Sequence, residues 1–264
     1  MNSLLKFLDA YTLRARLFPA VIAAAPALAA VALLISWRNL SLSNVIASGA
    51  LLVLLFALAD FARRQGLRIE PIIYDEMGGK PSITMMRRAG DTTIDEHTKD
   101  RYRAFLAEKV QRPPPTPEEE AANRARADEF YEQCGIWLRD NTRNAKKFPI
   151  LFNELVTYGF RRNLRGLKPS ALMLNIAVVL VCCALLWKHN SLNLGGDLLT
   201  RMTVALLIAA IHAVYVIFVV SKDGVKEAAR KYARELILSC ETLMRAESRN
   251  SLPRRSGRKA RGGG

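Results

Sequence analysis

LFPAVIAAAPALAAVALLIS, residues 17–36, decides the fold: it is a long run with no Asp, Glu, Lys or Arg. Crossing a bilayer as helix takes roughly 17–25 residues. Inside hydrocarbon every backbone N–H and C=O must be bonded within the segment, so the run reads as a transmembrane helix. Ala30-Val31-Ala32 resembles a signal-cleavage site, which leaves a secretory signal as the competing reading. The apolar part is longer than a typical signal core and a second apolar run follows within a few residues, so the span is expected to be retained.

Three further runs share this character. Asn39 to Ala59 is uncharged between Arg38 and Asp60, Pro169 to Trp187 follows Lys168, and Met202 to Ser221 lies between Arg201 and Lys222. They reconcile two global facts: a net charge of +15 from 39 basic and 24 acidic residues, and a mean hydropathy of +0.07. Charge and apolar residues are segregated along the 264-residue chain, which disfavours one ordinary globular core, a coiled coil or a disordered basic protein. The four cysteines, two adjacent within an apolar run, give neither a disulfide framework nor a zinc spacing.

Lys and Arg placement sets the expected orientation. Residues 1–16 hold three basic and one acidic residue, residues 63–168 hold 21 and 16, and residues 222–264 hold 12 and 5. The connections at about 37–44 and 188–201 hold only Arg38, Lys188 and Arg201 against Asp197. Both termini and the middle segment are therefore expected in the cytoplasm. The expected fold is an all-α membrane protein, four transmembrane helices as two hairpins (2+2) with a small, mainly helical cytoplasmic domain between them. Its parts are an interfacial helix at 1–16 (Leu4, Leu5, Leu8 and Tyr11 at helical spacing), a first hairpin at 17–62 and the cytoplasmic domain at 63–168. A second hairpin at 169–221, a basic amphipathic helix at 222–248 and a disordered basic tail at 249–264 complete the chain.

Both hairpins open alike, with Tyr11, Arg14, Arg16 and Pro19 before the first and Tyr158, Arg161, Arg162, Arg165, Lys168 and Pro169 before the second. This is either a tandem repeat or two independent membrane-approach signals. Within the middle segment, residues 66–92 hold Gly66, Pro71, Gly78, Gly79, Pro81 and Gly90, which predicts extended chain and turns. Residues 96–110 predict a helix. Arg112-Pro-Pro-Pro-Thr-Pro117 predicts a stiff connector, and Thr116-Pro117-Glu118-Glu119 a capped helix start running on through about 145. Phe148, Leu151, Phe152, Leu155 and Phe160 predict a further helix running into the third span.

Chemistry-bearing patterns are few. Gly78-Gly79-Lys80 lacks the phosphate-loop spacing and reads as a turn. Asp75, Glu76, Asp91, Asp95, Glu96 and His97 have neither metal-ligand nor paired-carboxylate spacing and read as solvated loop charges, so no catalytic or metal residues, no cofactor and no enzyme activity are expected. His212 is the one ionisable group near the middle of a span. With Arg201 and Tyr215 it falls roughly on one helical face, which predicts a pore lining; a neutral His bonded between helices is the alternative. Ala205, Ala209 and Ala213, like Ala23-x-x-x-Ala27 and Ala25-x-x-x-Ala29, permit close helix packing and favour a bundle or a homo-oligomer. Cys182 and Cys183 read as inert apolar filling.

Basic residues near aromatics on the cytoplasmic side make Arg101, Arg103, Lys146, Lys147, Arg161, Arg162, Arg165 and Lys168 candidates for an anionic ligand, by charge and stacking together. Positive-inside topology with attraction to anionic lipid, and RNA contact through the tail, are the competing readings.

Three phrases resemble a family of bacterial four-pass inner-membrane proteins: Tyr11 to Pro19, Tyr74-Asp75-Glu76-Met77-Gly78-Gly79-Lys80-Pro81, and Lys147-Phe148-Pro149 through Tyr158 to Leu164. The resemblance implies bacterial origin, the inner membrane and the topology above. In layout, though in no motif, the chain also resembles membrane effectors of antiphage systems, the Hailong type among them. That likeness implies an ion channel under a nucleotide or oligonucleotide signal supplied by a partner nucleotidyltransferase. Composition and resemblance together point to an oligomeric inner-membrane channel or membrane-perturbing effector, with a non-conducting scaffold for a cytoplasmic protein as the alternative. A small-molecule transporter fits less well, because the spans offer few polar residues and no unwound Gly/Pro midpoint pair.

Overall fold

The computed structural model describes residues 10–34, 44–192 and 196–251, and all regular structure among them is helical. The expected interfacial positions Leu4, Leu5 and Leu8, the first residues of the second apolar run and the tail beyond Ser251 lie outside the described residues. In chain order the helices are α1, Ala10–Leu34, then α2, Asn44–Asp75, α3, Pro81–Thr84, and α4, Glu96–Val110. They continue as α5, Pro117–Ala122, α6, Arg124–Asn141, α7, Pro149–Leu192, α8, Gly196–Val214, and α9, Lys222–Ser251. A π-helical turn lies within α1 at Leu13–Leu17, and another, Tyr215–Val219, extends α8. Among the described residues three stretches are long and apolar enough to cross a membrane: Ala10–Leu34, Pro149–Trp187 and Asp197–Val219.

The chain divides into two compact units, one drawn from Met1–Lys80 and Phe152–Tyr232, the other from Pro81–Leu151 and Ala233–Gly264. The first unit is packed through small side chains. Ala20 and Ala23 of α1, Ala62 of α2, Leu167 and Ala171 of α7 and Val216 form one buried cluster. Ala30 joins Val178 and Cys182 of α7 and Met202, Ala205 and Ala209 of α8 in another. Apolar helices gain nothing by leaving lipid for each other, so close approach of small residues and interhelical hydrogen bonds must hold such a bundle. The alanine spacing in α8 reports this packing directly. Cys182 is buried filling, whereas Cys183 is exposed.

The stretch expected as extended chain from residue 66 is helical to Asp75. Gly66 is not a turn residue. A Cβ there would collide with the Asn163 side chain, and one on Gly166 would lie 2.5 Å from the carbonyl of Gln65. The two glycines let the backbones of α2 and α7 cross at close range. Pro71 sits inside α2, where it opens the carbonyl of Leu67, an exposed position that water can satisfy. The turn chemistry holds at Gly78, Gly79 and Gly90, all with positive φ (74°, 126° and 102°). Gly79 N–H donates to the Tyr74 carbonyl at 2.8 Å and Gly78 N–H to that of Asp75 at 3.0 Å, a Schellman cap that ends α2.

In the second unit the Pro-rich connector leads into a complete capping box. Glu119 N–H donates to Thr116 Oγ1 at 3.2 Å, and Thr116 N–H to the Glu119 carboxylate at 2.9 Å. The helix expected to run through about 145 is broken at Asn123, whose side chain accepts the Arg126 N–H at 3.1 Å and caps α6 afresh. Of the apolar face that the spacing of Phe130, Cys134, Trp137 and Leu138 predicts for α6, Trp137 is half-buried and the other three are buried, joined by Tyr131. Ala233, Leu236, Ile237 and Cys240 are equally buried, so the apolar face of α9 is covered within this unit.

Lys99 and Arg103 of α4 are each 1% exposed. Lys99 Nζ donates to the carbonyls of Arg87 (3.2 Å) and Asp91 (2.6 Å), and Arg103 pairs with Glu96. Arg87 grips Asp128 with two bonds, at 2.8 and 2.6 Å. Buried cations persist only with partners. The acids expected as solvated loop charges are thus largely engaged: Asp95 caps α4 by accepting the Thr98 N–H, and Glu96 serves Arg103 and Lys99.

Gly166→Ala should destabilise the first unit by about 1–3 kcal/mol, because backbone rather than a flexible side chain stands in the way. Gly135→Ala in α6, whose nearest neighbours lie 3.4 and 3.8 Å from the added carbon, should be neutral or stabilising by up to ~1 kcal/mol. Unfolding midpoints of the two variants in detergent check the contrast.

Candidate functional site

Proline in an apolar helix opens the carbonyl four residues earlier, and hydrocarbon offers no water to close it. In α1, Pro19 opens Ala15 and Pro26 opens Ile22. Each carbonyl is taken by a side chain from another helix. Asn163 Nδ2 of α7 donates to the Ala15 carbonyl at 2.6 Å, and His212 Nε2 of α8 donates to that of Ile22 at 2.8 Å.

Since a carbonyl only accepts, His212 Nε2 carries the proton and the neutral ring leaves Nδ1 as an acceptor. Asn175 Nδ2 of α7 donates to it at 2.9 Å and gives its other proton to the Ala171 carbonyl at 3.1 Å. The buried Asn175 Oδ1 is then left without a partner among the described residues. His212 is 8% exposed and points into the packing of its own chain.

Asn163 is fixed by a second network. Its Oδ1 accepts from Arg162 Nε and Nη2, each at 3.2 Å, which turns the amide nitrogen toward Ala15. Arg162 Nη1 donates to Glu70 of α2 at 2.7 Å. Tyr158 donates to the same Glu70 oxygen at 2.5 Å, and Tyr74 approaches Tyr158 O–H to O–H at 2.7 Å. Burial and the neighbouring Glu70 carboxylate push the Tyr74 phenol well above its usual range, so it stays a donor. Tyr158 also stacks on Tyr232 at 6.0 Å. One polar seam therefore ties α1, α2, α7 and α9.

The junction between α8 and α9 is held from α7. Lys168 Nζ donates to the carbonyls of Ile217 (2.8 Å) and Val220 (3.0 Å), which the end of the π-turn leaves open, and Arg161 Nη1 donates to that of Gly224 at 3.0 Å. Glu76 pairs with Lys222 and with Lys226 (2.8 Å), which hold its carboxyl down at about 2. A cleft of about 290 Å³ opens here between Phe160, Arg161 and Leu164 of α7 and Tyr215, Val219 and Ser221.

The eight basic candidates are divided between the units. Arg161, Arg162, Arg165 and Lys168 belong to the first, and all but the half-buried Arg165 have the partners just named. Arg101, Arg103, Lys146 and Lys147 belong to the second. There Arg101 pairs with Glu241 and Arg103 with Glu96, whereas Lys146 and Lys147 are exposed, the latter over the Phe148 ring. Of the residues expected along a pore, Arg201 bonds the Leu33 carbonyl (3.3 Å) and Asp197 (2.7 Å), and Tyr215 packs against the buried alanine cluster. Glu70 and Asn175 escaped the sequence reading. The signal for Asn175 was a lone amide inside an apolar run; Glu70 carried none, lying next to Pro71 in a stretch whose composition reads as turn.

The chain matches no known protein family, no curated protein and no solved structure.

Arg162→Met should leave the half-buried Glu70 without its counter-charge and the buried Asn163 Oδ1 without its donors, and cost about 3 kcal/mol. Tyr158→Phe, which removes one neutral donor, should cost about 1–2 kcal/mol. Denaturant unfolding followed by tryptophan fluorescence measures both, and Arg162→Lys should not rescue, because a single ammonium cannot serve Glu70 and Asn163 together.

Proposed function

We propose that the chain is an oligomeric inner-membrane effector, an ion channel or a membrane-perturbing assembly, switched by an anionic ligand in the cytoplasm such as a nucleotide or oligonucleotide, in antiphage defence. In this reading four spans form two hairpins, with both termini and residues 63–168 in the cytoplasm, and copies of the chain assemble in the membrane.

The observation that carries the proposal is the design of α7. It is one uninterrupted helix from Pro149 to Leu192. Just before it stand the exposed cations Lys146 and Lys147, and along it come Arg161, Arg162 and Lys168, whose donors hold the seam and the α8–α9 junction. An anion drawn to the start of α7 acts on the same helix that carries these bonds, and it shifts the helix packing if it binds two arrangements with different affinity. His212 faces inward within one protomer, so a conducting path runs between copies. The covered apolar face of α9 offers little to a scaffold's partner, which favours the effector.

Ion flux from liposomes containing the full chain tests this. Flux should appear or rise at least tenfold on adding a short oligonucleotide, and the Lys146→Glu/Lys147→Glu variant should lose the response while folding normally. Absence of flux, or flux indifferent to both the anion and the variant, contradicts the proposal.

A further inference from the structure

The cleft at the α8–α9 junction has a lining that suits one chemical class. Phe160, Leu164, Val219 and Val220 form apolar walls, and Arg161, Tyr215 and Ser221 supply a cation and two hydroxyls. Of the Arg161 donors, only Nη1 is engaged, with the Gly224 carbonyl at 3.0 Å and Glu227 at 3.4 Å. Nε and Nη2 have no partner among the described residues. Lys168, which bonds the Val220 carbonyl at the cleft wall, adds a second positive charge.

Position narrows the ligand further. The apolar run Met202 to Ser221 ends at this cleft, with Phe218 (76%) and Val219 (62%) exposed beside it and Lys222 immediately after. An apolar face turning cationic over one helical turn marks the depth of the headgroups. At about 290 Å³ the cleft is at the small end of ligand sites, which run from ~300 to ~1,000 Å³, so it holds a headgroup and the first carbons of a chain rather than a whole lipid.

We propose that this cleft binds the phosphodiester of an anionic phospholipid, with Arg161 and Lys168 on the phosphate and the glycerol end of an acyl chain along Phe160, Leu164 and Val219. The inference needs Met202 to Ser221 to lie in a bilayer and is independent of conduction. The lipid becomes part of the junction: its phosphate takes the unused guanidinium donors of the side chain that also holds the first turn of α9.

The test uses the full chain in neutral detergent, titrated with mixed micelles of phosphatidylglycerol or of phosphatidylcholine and read by native mass spectrometry and thermal midpoint. Phosphatidylglycerol should bind and raise the midpoint, with phosphatidylcholine at least tenfold weaker. Arg161→Gln should lower the phosphatidylglycerol affinity at least fivefold. Val219→Trp, which fills the apolar wall and leaves every cation in place, should do the same, so the outcome does not depend on Arg161→Gln folding well. Equal affinity for the two lipids, or unchanged binding in both variants, overturns the proposal. Inorganic phosphate or a soluble glycerophosphate reproducing the full stabilisation without lipid would also overturn it, by assigning the cleft to a soluble anion.

Discussion

Two prolines in α1 leave two backbone carbonyls without a helical N–H, Ile22 within the apolar run and the buried Ala15 between Arg14 and Arg16 just before it, and the first unit is organised around closing them. Ala15 and Ile22 accept from Asn163 and His212, which places α7 and α8 at fixed heights against α1. Each closure sets a further requirement. Asn163 needs its amide turned, so Arg162 holds its oxygen; Arg162 needs a counter-charge, so Glu70 lies across from it on α2. Arg162 can reach from Asn163 across to Glu70 because Gly66 and Gly166 let the backbones of α2 and α7 approach. Removing any one member leaves a polar group buried and unpaired, which costs more than the bond itself contributed.

The second unit solves a related problem in a polar setting. Its interior holds Lys99 and Arg103, and loop carbonyls and Glu96 meet them. Buried ion pairs are weak sources of stability but strong sources of order, because few chain arrangements satisfy all partners. Here they fix the loop from Arg87 to Asp95 over α4, where apolar packing alone would leave it loose. The two units thus share a principle: position is set by polar groups that have one place to go, and alanine and aromatic packing fills the rest.

Much of this was legible in the sequence. Apolar runs, the alanine spacing, the Thr116 capping box and the helix at 96–110 follow from local rules, and each is present. The failures share a physical cause. Gly66 and Pro71 carry the composition of a turn, but the first serves a helix crossing and the second opens a carbonyl at an exposed position, both tertiary reasons. Asn123 interrupts α5 and α6 by capping, which competes with helix continuation at no apolar cost. His212 could be read from sequence as lining a path or as bonded between helices; its bonds to Ile22 and Asn175 follow from residues on two other helices that no local pattern brings together. The arginines were legible as cations but not as engaged ones, because their acidic partners lie up to 140 positions away.

The central claim, that side chains close the carbonyls that proline opens, is tested most directly by a double-mutant cycle on Pro26 and His212. Pro26→Ala restores the N–H that the Ile22 carbonyl lacks, and His212→Leu removes the side-chain donor. The account predicts that His212→Leu costs less in the Pro26→Ala background than alone, with a coupling energy of about 1 kcal/mol, within the range measured for contacting residues and for hydrogen bonds between apolar helices. Costs that add within ~0.3–0.5 kcal/mol, as they do for independent sites, would contradict it.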